Sequence, residues 1–383
     1  MEIPQKNILS HYNLQSLASL AVILALTLFL YYPIAGFGWI TGLDQMLIID
    51  NSMIYHLNQN NVLEMFLSTT AGRYQPLAFL SYSLDVFLAP ASVIKTMHIV
   101  NLILHMLNIL LFFRIMQLLT KKQIIIFSAA LLFAIHPMNV ETLAWISSRS
   151  QLLCAFFFLS AVLSYIYYTR HDTSRGLYFL CTVFFIMALF SNPVAVIFPI
   201  VLLLIDYLQN KNLKDAWNGK IFFFMLSIIF VIITVLTFAE PEVTVTSPGV
   251  FENIVLAGYS VILVFSKFLL PVGIAAYHPF PEQIMMWPVI LASMAMIFFA
   301  SVFWFFRKEK TIISGLLFFL AGILAAFLLR PGGGYLYSEN EIYLPYLGLY
   351  GLAGVAFHRL YGLLRHKKVF LIAALIMVSA WML

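Results

Sequence analysis

Apolar runs long enough to cross a lipid bilayer recur from one end of this chain to the other, and nothing constrains its fold more. A hydrocarbon core of about 30 Å needs roughly 20 apolar residues in a helix. Such runs are read near 17–36, 96–119, 123–136, 151–169, 176–191, 194–209, 220–239, 287–306, 311–329, 343–362 and 369–383. In lipid each backbone N–H and C=O must be satisfied inside the chain, so the runs predict helices. Composition agrees: 62% of the 383 residues are hydrophobic and only 10% are charged. A soluble protein of this size carries about a quarter charged residues, so soluble enzymes, nucleic-acid-binding modules and disordered scaffolds are excluded. Cys154 and Cys181 lie inside apolar runs, which fits neither a disulfide framework nor a metal knuckle. Tyr31, Tyr32 and Pro33 stand where a cleaved signal peptide would place small residues, so the first run is expected to stay.

Charge orients the helices. Basic residues cluster at Lys121–Lys122, Arg170/Arg175, Lys211/Lys214/Lys220, Arg307/Lys308/Lys310 and Arg365/Lys367/Lys368. Two apolar stretches are ambiguous, 76–90 with Asp85 and 251–270 with Glu252 and Lys267. All five clusters fall on one side only if neither stretch crosses, and basic loops mark the cytoplasm. The net charge of +5 therefore records topology rather than an anionic partner. The expectation is an all-α polytopic membrane protein forming a single membrane domain over 1–383. It would have eleven spans, the N-terminus inside, the C-terminus outside, and lateral or interfacial outer helices. The outer side then holds eleven of the sixteen acids but five basic residues: Arg73, Lys95, Arg149, Lys267 and Arg330. The long polar connections at 36–95, 240–286 and 330–342 also fall outside, where chemistry is expected. No repeat of 20–50 residues, inverted half or tetratricopeptide array is visible.

Five stretches of the outer side offer chemistry. In GWITGLDQMLIIDN, Asp44 follows the first span closely. A carboxylate there can take a proton from a hydroxyl or hold a divalent cation, or be a solvated loop acid. Asp50 with Asn51 reads as a helix cap, and His56 as a solvated loop histidine. Arg73 precedes a helix that opens with Pro76, where a guanidinium and free backbone N–H groups suit a phosphate or a lipid headgroup. In HPMNVETLAWISSR, His136, Glu141 and Arg149 gather at the outer boundary. His136 also reads as a helix-end cap and Trp145 as an interfacial belt residue. His278 sits in the Pro-rich YHPFPE after Lys267. Gly332–Gly334 beside Arg330 form either an anion nest or a hinge.

Taken in order, these stretches resemble the membrane part of the transmembrane and tetratricopeptide-repeat O-mannosyltransferases and their bacterial relatives. That family's pattern runs WDDxxYIxxN, YRPLxxLSxxLD, HxxNxxLHxxN, HPxxVExVAWIxxRxDLL, KPxAVxxPxxLLLxDY, YPxP and a late D/E-R-Y-x-Y-L-P-x-x-G. The counterparts are LDQMLIIDN at 43–51, GRYQPLAFLSYSLD at 72–85, HIVNLILHMLN at 98–108 and HPMNVETLAWISSRSQLL at 136–153. They continue with NPVAVIFPIVLLLIDY at 192–207, YHPFP at 277–281 and ENEIYLPYLG at 339–348.

The resemblance implies a C-type (GT-C) glycosyltransferase fold. It also implies transfer of a sugar from a polyprenyl-phosphate carrier to a hydroxyl acceptor, on a protein or glycan, at the outer face. It would make Asp44 the catalytic carboxylate, with Arg73 and Arg149, then Lys267 and Arg330, for the carrier phosphate. His136, Glu141, Asp50, His278 and Glu339 would line the substrate side. No metal site is assigned, although a divalent cation fits such chemistry, and a bacterial inner membrane is the expected location. Several positions depart from the pattern: Leu43 and Gln45 flank a single acid, and Gln151, Asn192 and Asn340–Glu341 replace charged or aromatic residues. These exchanges keep open an inactive scaffold subunit of a membrane or secretion complex.

Overall fold

The computed structural model describes residues 14–40, 42–170, 174–212, 217, 219–237, 249–280, 286–330 and 335–363. The expected span at 369–383, the cluster Arg365/Lys367/Lys368, Gly332–Gly334, and Glu240, Glu242 and Glu282 lie outside the described residues. The helices are α1 (Leu14–Tyr31), α2 (Ser52–Tyr55), α3 (Gln59–Leu67), α4 (Pro76–Leu88), α5 (Val93–Leu119), α6 (Gln123–Ile135), α7 (Val140–Ala144) and α8 (Arg149–Arg170). They continue as α9 (Arg175–Ser191), α10 (Phe198–Leu208), α11 (Ile221–Thr237), α12 (Val250–Leu269), α13 (Met286–Phe306), α14 (Lys310–Leu328) and α15 (Tyr346–Leu363). One two-stranded ribbon pairs β1 (Tyr277–Pro279) antiparallel with β2 (Tyr335–Ser338), tying the second long connection to the third.

Among the described residues, six segments are long and apolar enough to cross a membrane: Leu14–Gly36, Pro90–Leu119, Ile146–Arg170, Phe251–Leu269, Met286–Phe306 and Lys310–Leu328. The helix pair Gln123–Ile135 and Pro137–Ala144 joins them if its 50° bend is one broken span. The polytopic all-helical architecture stands. The expected eleven spans are not reached by length, because α9 and α11 have 17 residues and α10 has 11. Phe251–Leu269, expected to lie laterally, passes the length test. α12 and α13 nevertheless run in the same direction, since Gly258 touches Ala292 and Phe265 packs on Phe298 and Phe299.

The longest helix organises the end of the bundle that carries the β1–β2 ribbon. On α5, His98, Asn101, His105 and Asn108 are spaced 3, 4 and 3 residues apart, which puts them on one helical face, and all four are buried. They face a segment in which the helix is broken at His136–Pro137 and again at Trp145. Broken helices leave carbonyls without partners, and in a membrane protein the interior must supply them. Asn101 Nδ2 donates to the carbonyls of Leu143 (3.4 Å) and Trp145 (3.3 Å). His105 Nε2 donates to the Ala134 carbonyl (3.2 Å), and Asn108 Nδ2 to that of Leu152 (3.1 Å). This polar stripe holds residues 136–148 as a bent shelf under the outer site. At the other end, Asp206 accepts the Tyr165 hydroxyl (2.8 Å) and pairs with Lys211 (3.2 Å) and Lys220.

Candidate functional site

Asp44 is delivered by a turn at Gly42, whose φ of +101° suits glycine, and heads the helical turn Gln45–Ile49. Its side chain is fully buried. Oδ2 accepts the Ile40 N–H (3.1 Å) and Oδ1 accepts the Ser147 N–H (2.9 Å), so the carboxylate clamps the first outer loop onto the shelf. Burial pushes its carboxyl above the usual range, against the pull of those two N–H groups. The Ser147 hydroxyl adds a third donor to the same carboxylate.

Three glutamates gather beneath the ribbon. Glu339 is fully buried, and its Oε1 accepts from Lys267 Nζ (2.8 Å), His278 Nε2 (3.1 Å) and the Ala275 N–H (3.0 Å). Burial pushes it up, but those donors outweigh burial and hold it below its ordinary value. Glu341 accepts the Tyr335 hydroxyl (2.7 Å) and the Ser338 N–H (3.4 Å), and its carboxyl is raised by burial. Glu141 Oε1 lies 3.2 Å from Ser338 Oγ, which also lies 2.7 Å from the Ala276 carbonyl oxygen. The Ser338 hydroxyl and the Asn340 N–H both donate toward Glu141 and favour its charged form, but they do not outweigh its burial. Burial, reinforced by the charge of Glu339, pushes Glu141 up to about 8.

Tyr277 ties the groups together. Its ring packs on Trp145 (5.6 Å) and Tyr335 (5.0 Å). Burial raises its phenol to about 12, and the charges of Arg73, Glu341, Glu141 and Asp44 all bear on it. Beside it opens a small cleft of about 40 Å³, lined among others by Arg73, Gln75, Gln151, Asn192 and Glu341. Arg73 is half-buried and presented by the tight turn Thr70–Arg73, with positive φ at Ala71 and Gly72. Gln75 Nε2 and Gln151 Oε1 are buried and have no partner among the described residues.

Other expected site residues are placed differently. Arg149 is fully buried and committed: its guanidinium pairs with Asp85 (2.5 Å) and donates to Asn101 Oδ1 (2.9 Å), Ser81 (3.2 Å) and the Met97 carbonyl (2.9 Å). It also stacks 4.7 Å over Tyr82, so it braces α4, α5 and α8 rather than facing the cleft. His136 is fully buried with Nδ1 accepting the Met138 N–H (3.3 Å) and Nε2 donating to the Phe268 carbonyl (3.1 Å), which makes it a helix-end cap and not a substrate-side group. Lys267 and His278 are spent on Glu339. Arg330 stacks on Phe327 (3.9 Å) and Phe280 (5.0 Å), close enough for its charge to reach Glu341. Asp50 is exposed and accepts Gln45 Nε2 (2.6 Å), away from the cluster, while Asn51 does cap α2. Trp145 is 2% exposed and so is no belt residue. Both cysteines are buried free thiols. Among the described residues no group of three or more His, Cys, Asp or Glu is placed to hold a metal ion.

Sequence reasoning overlooked Tyr277, Tyr335, Ser338 and Tyr82. Ser338 and Glu341 carry a legible signal, the S-x-x-E capping box, which does form here. The tyrosines carry none, because aromatic residues are expected anywhere near a membrane boundary.

The resemblance read from the motifs is matched by curated relatives. Protein O-mannosyl-transferase TMTC1 of mouse is 38% identical over 99 residues, covering 26% of this chain and 10% of the relative. Human Protein O-mannosyl-transferase TMTC3 is 38% identical over 95 residues, 24% of this chain and 10% of the relative. Protein O-mannosyl-transferase F38B6.6 of Caenorhabditis elegans is 26% identical over 170 residues, 40% and 23% of the two chains. The aligned stretch thus spans about a tenth of the first two relatives' length. No family model matches the chain, and no solved structure matches it significantly.

Proposed function

We propose that this membrane protein is a glycosyltransferase of the GT-C kind. It takes a sugar from a polyprenyl-phosphate carrier and gives it to a hydroxyl acceptor at the outer end of the bundle. The observation that carries this reading is the convergence of Asp44, Arg73, Glu141 and Glu341 around Tyr277, beside a cleft whose wall holds a cation and unpartnered amides. Asp44 is the base. It takes the acceptor's proton as the acceptor oxygen bonds to the sugar's anomeric carbon and the bond to the carrier phosphate breaks. Its raised affinity for protons makes it a stronger base than a solvated aspartate. Arg73, assisted by Arg330, holds the departing phosphate, and charge-assisted contacts of this kind stabilise the charge that develops there. Arg149 acts through structure. Gln151 and Asn192, which stand where the family pattern has an acid and a lysine, line one cleft together. One charge of each sign is therefore absent from the same wall, and the charge balance there is kept.

The test is transfer of a labelled sugar from a polyprenyl-phosphate donor by purified protein in membranes. Asp44→Asn should lower transfer about 10²–10⁴-fold and leave donor binding intact, whereas Arg73→Ala should weaken donor binding first. Undiminished transfer with Asn at 44 would end the role of this residue. A second reading, an inactive scaffold subunit, is favoured by one feature: Asp44 is fully buried with both oxygens already accepting backbone N–H groups. It predicts no transfer with any donor, and thermal destabilisation as the sole effect of Asp44→Asn.

A further inference from the structure

At the end of the bundle opposite the glutamates, a second cavity opens between α5, α6, α8, α10, α14 and α15. Its volume is about 650 Å³. Its walls are apolar, with Phe112, Phe158, Val201, Phe318, Leu347 and Leu352 facing inward. Its mouth is basic: among the described residues, Lys122, Arg170, Lys310 and Arg359 stand there against one carboxylate, that of Glu309. Arg359 answers that carboxylate at 3.0 Å, Lys310 donates to the Tyr207 carbonyl (3.1 Å) and to Asn210 (2.6 Å), and Arg170 donates to the Leu118 carbonyl. Even so, three cations exceed the acid at the rim. Deeper, Ser314 Oγ and Gln209 Nε2 are buried in the walls with no partner among the described residues.

Depth follows from the helices. On α15 the lining runs from Leu347 to Arg359, and on α8 from Phe158 to Arg170. At 1.5 Å per residue each interval is about 18 Å, more than half the thickness of a bilayer's hydrocarbon core. A water-filled hole of this depth with such walls would leave much apolar surface wet, at roughly 25 cal/mol per Å². A small polar ligand would leave most of the walls uncovered. The shape and the charge call for an amphiphile with one long chain to fill the slot and an anionic head for the rim.

We propose that this cavity is a binding site for an acidic phospholipid of the adjacent leaflet, one acyl chain inserted between α5, α8, α10, α14 and α15 and the phosphate held by the basic mouth. The site is separate from the outer cleft and does not depend on the transfer reaction. It is also the end that the basic clusters assign to the cytoplasm, where anionic lipid attracts Lys and Arg.

Gly351 gives a clean probe, because it lines the cavity and a Cβ built on it meets nothing within 4 Å. Gly351→Phe should fill the slot without disturbing the helix packing. The full chain would be reconstituted with phosphatidylglycerol or phosphatidylcholine of matched acyl chains, then released into detergent and weighed by native mass spectrometry. One phosphatidylglycerol should remain bound and resist exchange by phosphatidylcholine. Gly351→Phe should abolish this retention with an unchanged melting temperature in lipid-free detergent, and Lys122→Glu should lower it roughly fivefold or more. Equal retention of both lipids, or retention untouched by Gly351→Phe, overturns the proposal. So does displacement of the bound lipid by a polyprenyl phosphate at stoichiometric amounts, which would make the cavity a carrier site. Retention that falls only because Gly351→Phe lowers the lipid-free melting temperature also overturns it.

Discussion

Glu141 and Glu339 are the same side chain beside the same turn at Ser338, yet their proton affinities are shifted in opposite directions. Glu339 has three donors on one oxygen, which outweigh its burial. Glu141 has weaker help, from the Ser338 hydroxyl and the Asn340 N–H, and it feels the charges of Glu339 and Glu341. A carboxyl raised in the folded state to about 8 from 4.5 binds a proton that the unfolded chain has lost. Stability therefore falls as pH rises between those two values and levels off above about 8. The melting temperature in detergent should drop by several degrees from pH 6 to pH 9. Glu141→Gln, which keeps the neutral shape, should flatten that drop. An unchanged slope in the variant would show that Glu141 is ionised throughout. The sequence grouped Glu141 with His136 and Arg149. It carried no sign of the raised proton affinity, because that depends on burial and on Ser338, Glu339 and Glu341, which lie far along the chain.

At the scale of elements, the stretch at 98–108 proves to be architecture. It was read only as part of the family resemblance, although the 3-4-3 spacing of His98, Asn101, His105 and Asn108 is legible as a single polar face. What that face serves is not, because the orphan carbonyls of Ala134, Leu143, Trp145 and Leu152 arise only once the chain bends at Pro137 and Trp145. Arg149 was misread for a related reason. A basic residue heading a span ordinarily faces headgroups, but here α4 is a 13-residue helix that brings Asp85 inward to meet it. Removing one partner of a buried pair leaves an uncompensated charge at a cost of about 3–5 kcal/mol. Arg149→Ala should therefore reduce the yield of folded protein and lower its melting temperature sharply. Arg149→Met combined with Asp85→Leu should recover much of the loss. A stable Arg149→Ala protein that fails only to bind donor would return this arginine to the phosphate site.

For the whole molecule, the open matter is which way the chain passes through α12, since every later loop changes sides with it. Length admits Phe251–Leu269 as a span. Its packing argues otherwise. Two consecutive spans joined by one connection lie antiparallel, whereas Gly258 meets Ala292 and Phe265 meets Phe298 and Phe299, so α12 and α13 point the same way. Beyond Leu269 the chain places His278 and the β1–β2 ribbon beside Lys267 and Glu339 at the end of α12. Lys267, near the end of α12, is neutralised there by Glu339, which removes the main electrostatic objection to a lysine so far along an apolar helix. We therefore expect α12 to enter and return without crossing, which leaves Lys308 on the same side as Lys121. Both native thiols are buried, so single added cysteines report cleanly. With an impermeant maleimide on intact cells, Asn60→Cys should react, while Lys121→Cys and Lys308→Cys should react only after permeabilisation. Lys308→Cys reacting alongside Asn60→Cys would mean that α12 crosses, and that the basic cluster at 307–310 faces outward.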